Sequence, residues 1–453
     1  NNIETINKTS KGTNGKKLYI SETIKSLSNA AENVMNSAFS ETKPKIENAC
    51  MNSVLRVCGN CNLKNLCWEC KKETTKKDFE KAILDIIGGV KDENLEYPTG
   101  RSCKNFNEII ENIKRTIDSY EDGMEAKIRA KEIYNGMSEK FLFAEAIVGY
   151  TNEGIKINDN LNLEKTTKIK NLLSDYEIET VRTECIINSL NKMFIEIEVM
   201  KIDNKNLINK DILGKISLIC ERQISEPIVF DIENRTLIRI SEKAVFNPQI
   251  CVNRHNCNNR ELCGDYCSYF RDGTGKFFVI ISDGMGSGGR AAADGAVTAG
   301  IIERLIRLRV DPVSAIKIAN LSISGKASEE SLTAVDIMVF DLYSGETEFV
   351  KAGAPLTIIR KGNRIHKIED ASLPIGIFDE TNLSVNKLKF SEGDTIVMLS
   401  DGITDIGTDW IENKLKSLDV INANDLADYI LRETAIRRKM NHDDDATTAI
   451  INI

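Results

Sequence analysis

The apolar positions of the chain change their period twice, and each change marks off a region. In roughly the first hundred residues they recur at helical spacing. "SETIKSLSNAAENVMNSAF" offers Ser21 as an N-cap ahead of such a stripe, and "DFEKAILDII" predicts a second helix stopped by Gly88 and Gly89. From about 103 to 142 runs one long helical stretch with few breakers. Along it Phe106, Ile110, Ile113, Ile117, Tyr120 and Met124 alternate steps of four and three, a coiled-coil-like seam. The period slips beyond Ile128, so the seam is short. It suits a helix packed on its own chain or a contact between two copies.

Between about 145 and 240 both periods mix. "MFIEIEVMKI" alternates like a half-buried strand, and "NKDILGKISLICERQ" is helical. "PIVFDIENRTLIRIS" predicts a hairpin turning at Glu233-Asn234. From about 242 onward strands dominate. The predicted boundaries are therefore 1–102, a helical segment; 103–241, a long helix plus a small α/β module; and 242–453, a strand-rich domain.

Composition narrows the classes. With 453 residues, 41% hydrophobic and 28% charged, the chain has enough apolar residues for several cores, and its composition speaks against wholesale disorder. A formal net charge of -8 speaks against a nucleic-acid surface. No run approaches the roughly 20 apolar residues needed to span a bilayer. The chain starts Asn-Asn rather than Met, so a fragment is expected, with any membrane anchor upstream.

The candidate chemistry begins at "FFVIISDGMGSGG", residues 277–289, where an apolar strand stops on Asp283 and dissolves into glycines. Gly284, Gly286 and Gly289 fit G-x-G-x-x-G, but the following "RAAADGAVTAGIIERLIRLRV" is one helix, so a dinucleotide fold lacks its second strand. A P-loop would need Lys where Arg290 stands. The form recurs in "DTIVMLSDGIT", which places Asp401 at a second strand end. "HDDDATTAIINI" sets Asp443, Asp444 and Asp445 before the last strand, and Asp265 in "CGDYCSYF" precedes another. Short carboxylates at the mouths of core strands suit Mg²⁺ or Mn²⁺, which demand oxygen ligands. Three histidines in the whole chain cannot build a typical zinc-hydrolase site. Cys50 and Arg56 match a Cys-x5-Arg loop, but without the strand or glycine it requires.

Taken in order, "CGDYCS", "SDGMGSG", "SLTAVDIMVFDLYSGETEFVKAGAPLTIIRKG", "LPIGI", "SDGITD" and "DDAT" resemble the type-2C, PPM-class metal-dependent Ser/Thr phosphatases of the bacterial sporulation and stress-response branch. The resemblance implies an α/β fold, a PPM-type α-β-β-α sandwich, preceded here by an α/β regulatory module and a helical Cys-containing segment. It implies two Mn²⁺ or Mg²⁺ ions, with Asp283 bridging them, the Gly284 carbonyl on one, Asp401 and Asp444 on the other, and Asp265 at the position of the first family aspartate. It further implies a phosphoserine substrate on an anti-sigma factor antagonist, a homodimer or larger assembly, and contact with the tubulin-like division-ring protein. A cytoplasmic site tethered to the membrane through an upstream region is also implied. The competing class is a catalytically inactive PPM-fold scaffold, which intact Asp283, Asp401 and Asp444 disfavour. Met285 replaces the histidine of the eukaryotic branch, and no arginine is assignable to substrate phosphate; Arg290 is expected in solvent.

Twelve cysteines include two clusters. Cys58, Cys61, Cys67 and Cys70 form C-x2-C-x5-C-x2-C, a paired ligand spacing whose middle gap is short for a zinc ribbon. Zinc or packed free thiols both fit. Cys251, Cys257, Cys263 and Cys267 have a weaker spacing.

Overall fold

The computed structural model describes residues 46–90, 103–129, 160–201, 207–232, 235–256, 262–286, 288–307, 309–323, 332–369, 372–377, 383–418, 422–438 and 444–453. The helix capped by Ser21, the stretch 130–142, Cys257 and Asp443 lie outside them.

The first region contains α1 (Ile46–Gly59), a single π turn at Leu66–Cys70, and α2 (Lys72–Ile87). As predicted, α2 stops at Gly88, whose N–H donates to the Leu84 carbonyl at 2.9 Å. The long helix follows as α3, residues 106–129. Its Ile109, Ile110, Ile113 and Ile117 pack with Cys50, Val54, Phe79 and Ile83 in one core. The seam thus faces the chain's own helices, the intramolecular alternative, because α1 and α2 offer it apolar stripes. Met124, at the seam's far end, stays 46% exposed.

The second region is an antiparallel sheet of β1 (Asn160–Leu161), β2 (Arg182–Ile187), β3 (Met193–Met200), β4 (Ile228–Ile232) and β5 (Arg235–Ser241), in the order β1-β2-β3-β5-β4. Helices α4 (Leu163–Asp175) and α5 (Lys210–Cys220) share a core with one face, through Ile169, Leu173, Ile212 and Ile216 against Ile195, Ile197 and Ile240. Ile232 pairs with Arg235 across the predicted hairpin. The alternation of β3 leads one to expect a solvated polar face, yet Glu196 and Glu198 are only 4% and 3% exposed. The cause is charge pairing. Arg239 binds Glu196 at 2.8 Å and donates onward to the carbonyls of Asp272 and Arg307, while Arg182 and Arg235 hold Glu198.

The third region runs β6 (Gln249–His255), β7 (Asp265–Arg271), β8 (Lys276–Gly284), α6 (Gly289–Arg307), α7 (Pro312–Ile323), β9 (Thr333–Asp341), β10 (Glu346–Ala352), β11 (Thr357–Lys361), β12 (Arg364–Ile368), β13 (Ser384–Lys389), β14 (Thr395–Leu399), α8 (Asp401–Thr404), α9 (Asp409–Ser417), α10 (Ala423–Arg437) and β15 (Ala446–Asn452). Its strands form two five-stranded antiparallel sheets, β13-β10-β9-β8-β7 and β12-β11-β14-β15-β6. In β8, Phe277, Val279 and Ile281 meet Ile396, Met398 and Ile451 of the facing sheet, whereas Phe278 and Ile280 meet α6 and α7. This is why β8 reads as an unbroken apolar run: both faces are covered, each buried side chain contributing roughly 1.5–3 kcal/mol. Val397, Leu399 and Ile450 likewise bury against α8, α9 and α10. The layers are α-β-β-α.

Candidate active site

Each candidate carboxylate is delivered by a strand end. Asp265 opens β7, Asp283 closes β8, and the two are direct partners in the antiparallel register. Asp401 starts α8 immediately after β14. Ser400 fixes that turn: its N–H donates to the Thr447 carbonyl at 3.0 Å and its Oγ accepts from the Thr447 N–H at 2.9 Å. Asp444 and Asp445 precede β15, where Leu399 pairs with Thr448. Asp445, buried, accepts from the Gly264 N–H at 2.6 Å, while Asp444 is exposed and accepts from the Asp445 N–H at 2.8 Å. Thus the edges of both sheets are tied together across the mouth of the sandwich.

Glycines make the approach possible. A Cβ on Gly284 would strike the Ala291 carbonyl of α6, and one on Gly402 would strike the Asp445 carbonyl. Gly286, at φ +101°, turns the chain from β8 toward α6 in a backbone region that side chains disfavour.

The electrostatics answer why a buried strand ends on charge. Burial pushes Asp283 up to about 10, and the neighbouring Asp265 and Asp401 carboxylates push the same way. Asp265 is raised to about 6, chiefly by burial, with Asp445 and Asp401 adding to it. The Ser400 and Thr447 hydroxyls lie near enough to favour its charge, but neither closes a hydrogen bond, and both Asp265 oxygens are buried without a partner. Asp444 is raised by burial and by Asp401 and Asp445, against the Asp445 N–H. No group of three or more His, Cys, Asp or Glu side chains among the described residues forms a ready-made cage. The donor set nonetheless fits hard divalent cations: orphaned buried carboxylate oxygens, crowded like charges and a glycine-framed backbone all need positive charge there.

Residues 273–453 match the family profile of stage II sporulation protein E (SpoIIE). That stretch is similar to the SpoIIE family. It is a protein phosphatase domain of the metal-dependent PPM class. The chain as a whole is 23% identical to stage II sporulation protein E of Priestia megaterium over 426 residues, 87% of this chain and 69% of that protein. Against the protein of Bacillus subtilis (strain 168) it is 23% identical over 414 residues, again 87% of this chain but 49% of the relative. The phosphoserine phosphatase RsbP of the same organism is 22% identical over 208 residues, 44% of this chain and 51% of RsbP. Among solved structures, the PP2C phosphatase domain of SpoIIE from Bacillus subtilis with a fragment of its regulatory domain has a TM-score of 0.46 and 22% identity, covering 75% of this chain and 98% of that one.

Within this domain, two residues differ from expectation. Arg290 is half-buried rather than solvated. Arg438, which no motif singles out, reaches from the end of α10 to the carbonyls of Gly402, Asp444 and Asp445. It is a positioning residue that fastens the Asp401 turn to the Asp444 segment. Only the basic "RRK" beside the acidic run hints at it. Met285 is 49% exposed, and its thioether can donate no proton.

The cysteines sort differently. Cys50 is fully buried inside α1 and pushed up to about 11 by burial, so it is no nucleophile. Cys251 and Cys267 lie on strands and Cys263 just before β7; burial raises all three. In the first cluster Cys70 is exposed, apart from the more buried Cys58, Cys61 and Cys67.

Proposed function

We propose that this chain is a metal-dependent protein serine phosphatase acting on a phosphorylated anti-sigma factor antagonist, and that its activity releases a compartment-specific sigma factor during sporulation. The observation that carries the reading is the facing pair Asp265 and Asp283 with Asp401 beside them: burial and mutual repulsion raise both facing carboxyls, and among the described residues the buried Asp265 oxygens have no hydrogen-bond partner. Asp283, the Gly284 carbonyl, Asp401, Asp444 and Asp265 would hold two Mn²⁺ or Mg²⁺ ions. When bound, such ions supply positive charge for the phosphoryl oxygens and lower the pKa of a water nucleophile. The chain's own part is positional. The antiparallel register sets Asp265 opposite Asp283, Ser400 fixes Asp401, and Arg438 holds Asp444 within reach. Met285, at the histidine position of the eukaryotic branch, has no proton to give the leaving serine oxygen.

The family resemblance also supports a homodimer, tethering through a segment outside this sequence, and contact with a tubulin-like division-ring protein. Among the described residues no helix is long and apolar enough to cross a membrane.

Phosphate release from a phosphoserine-bearing antagonist protein, with and without Mn²⁺, tests the reading. Metal-dependent release that disappears in Asp283→Asn supports it. Binding of the phosphoprotein with no release at any metal concentration would instead establish the scaffold.

A further inference from the structure

The four-cysteine spacing of the sequence is not the grouping that folding produces. Cys58 lies in the last turn of α1 as a buried residue, and Cys61 follows in a tight turn, its N–H on the Cys58 carbonyl at 3.1 Å. The Leu63 N–H then points at Cys61 Sγ at 3.5 Å, and the Cys67 N–H returns to the Leu63 carbonyl at 3.0 Å. Cys103, distant in sequence and just ahead of α3, packs with Cys58 and Trp68 against the same core. Cys70, at the end of the π turn, is exposed.

We propose that Cys58, Cys61, Cys67 and Cys103 form a structural zinc site, with Cys103 in the place that sequence spacing gives to Cys70.

Three features beyond the grouping point to a thiolate–metal centre. First, backbone N–H groups already face the sulfurs, from Leu63 to Cys61 and from Asn105 to Cys103. Such donors stabilise a thiolate far more than a neutral thiol, whose sulfur is a weak acceptor. Second, the Trp68 indole N–H is buried with no acceptor at hydrogen-bond distance, yet it lies beside Cys58 and favours that residue's ionised form. A thiolate would satisfy it. Third, the sulfurs sense one another: after burial, Cys103, Cys61 and Cys67 each oppose ionisation of Cys58, and Cys67 and Cys61 oppose that of Cys103.

Among the described residues these thiols do not form a closed cage. Protonated thiols have no reason to converge. A divalent soft cation supplies one by displacing their protons to solvent. Four thiolates and tetrahedral preference select zinc. The site would join the end of α1 to the start of α3.

The full chain, expressed in zinc-supplemented medium and purified without chelator, is assayed for zinc, iron and sulfide. About one zinc per chain is expected in the wild type and in Cys70→Ser, and none in Cys103→Ser. Because Cys103→Ser could unfold the segment, Co²⁺ is titrated into the zinc-stripped wild type and Cys70→Ser. Both should show the intense tetrahedral cobalt spectrum with thiolate charge transfer. Zinc kept by Cys103→Ser, zinc or the cobalt spectrum lost in Cys70→Ser, iron with sulfide, or a wild type that takes up neither zinc nor cobalt would each overturn the assignment.

Discussion

The ion pair between Arg129 and Asp294 gives the sharpest quantitative prediction. Arg129 Nε lies 2.8 Å from Asp294 Oδ1, and the two side chains are 7% and 6% exposed. The pair joins α3 to α6, the helix that follows Asp283, where Ala126 also meets Ala293 and a Cβ on Gly289 would strike the Asp122 carbonyl. Replacing Arg129 by Met keeps much of the side-chain volume and removes the charge. Asp294 is then left buried beside a hydrocarbon, which costs about 3–5 kcal/mol if the packing holds. An upper limit applies, because the molecule can avoid the penalty by undocking α3 and letting water reach Asp294. The measured loss is therefore the smaller of the desolvation cost and the docking free energy.

Urea unfolding of the wild type, Arg129→Met, Asp294→Asn and the double variant gives the coupling, expected at about 1–3 kcal/mol for two groups in direct buried contact. Hydrogen exchange separates the two routes. Undocking raises exchange along residues 106–129 and the first turns of α6 before global unfolding, whereas a docked but strained variant loses global stability with that local pattern unchanged. A coupling below about 0.5 kcal/mol with unaltered exchange in both helices would refute the claim that this pair holds α3 onto the catalytic domain.

Three further outcomes follow from the same geometry. Asp283→Asn should abolish phosphate release yet stabilise the metal-free domain. The folded pKa of about 10 lies above the unfolded value of about 4, so Asp283 weakens the fold as pH rises between them; the variant flattens that slope, and equal slopes in both proteins would refute it. Gly284→Ala should cost about 1–3 kcal/mol and lower turnover, since its Cβ meets the Ala291 carbonyl and must push α6 away; thermal unfolding equal to wild type would sink this. Ile113→Glu, at a fully buried site shared with Phe79 and Ile83, should unfold the N-terminal helices by about 3 kcal/mol or more rather than yield an intact monomer, as limited proteolysis of residues 46–117 would show.

What the sequence disclosed, and what it withheld, divides along the range of the interaction. Strand ends at Asp283 and Asp401 were legible because a Ser-Asp-Gly after an apolar run is a local signal, and so was the Gly88 stop of α2. The unbroken apolar character of β8 reported cover on both faces for the same reason. The misread elements are those whose partners are remote. The alternation of β3 predicted solvent on one face, and nothing near Glu196 in sequence announces that Arg239 will cover it. The seam of α3 showed that a partner existed but not whose helix it was. Arg438 and Cys103 carry no motif, since each acts only through residues that folding brings to it. Asp444 and Asp445 show the limit most closely. The sequence presents two equal neighbours before β15, and the chain uses them oppositely, Asp445 buried on the Gly264 N–H and Asp444 facing outward toward Asp401. Both lie just ahead of β15, where Asp445 accepts from the Gly264 N–H before β7 and Asp444 accepts from the N–H of Asp445 itself. Where each meets the carboxylate cluster, Asp445 beside Asp265 and Asp444 beside Asp401, depends on the register of β15 against β14, a fact held by ten paired residues and by no single one of them.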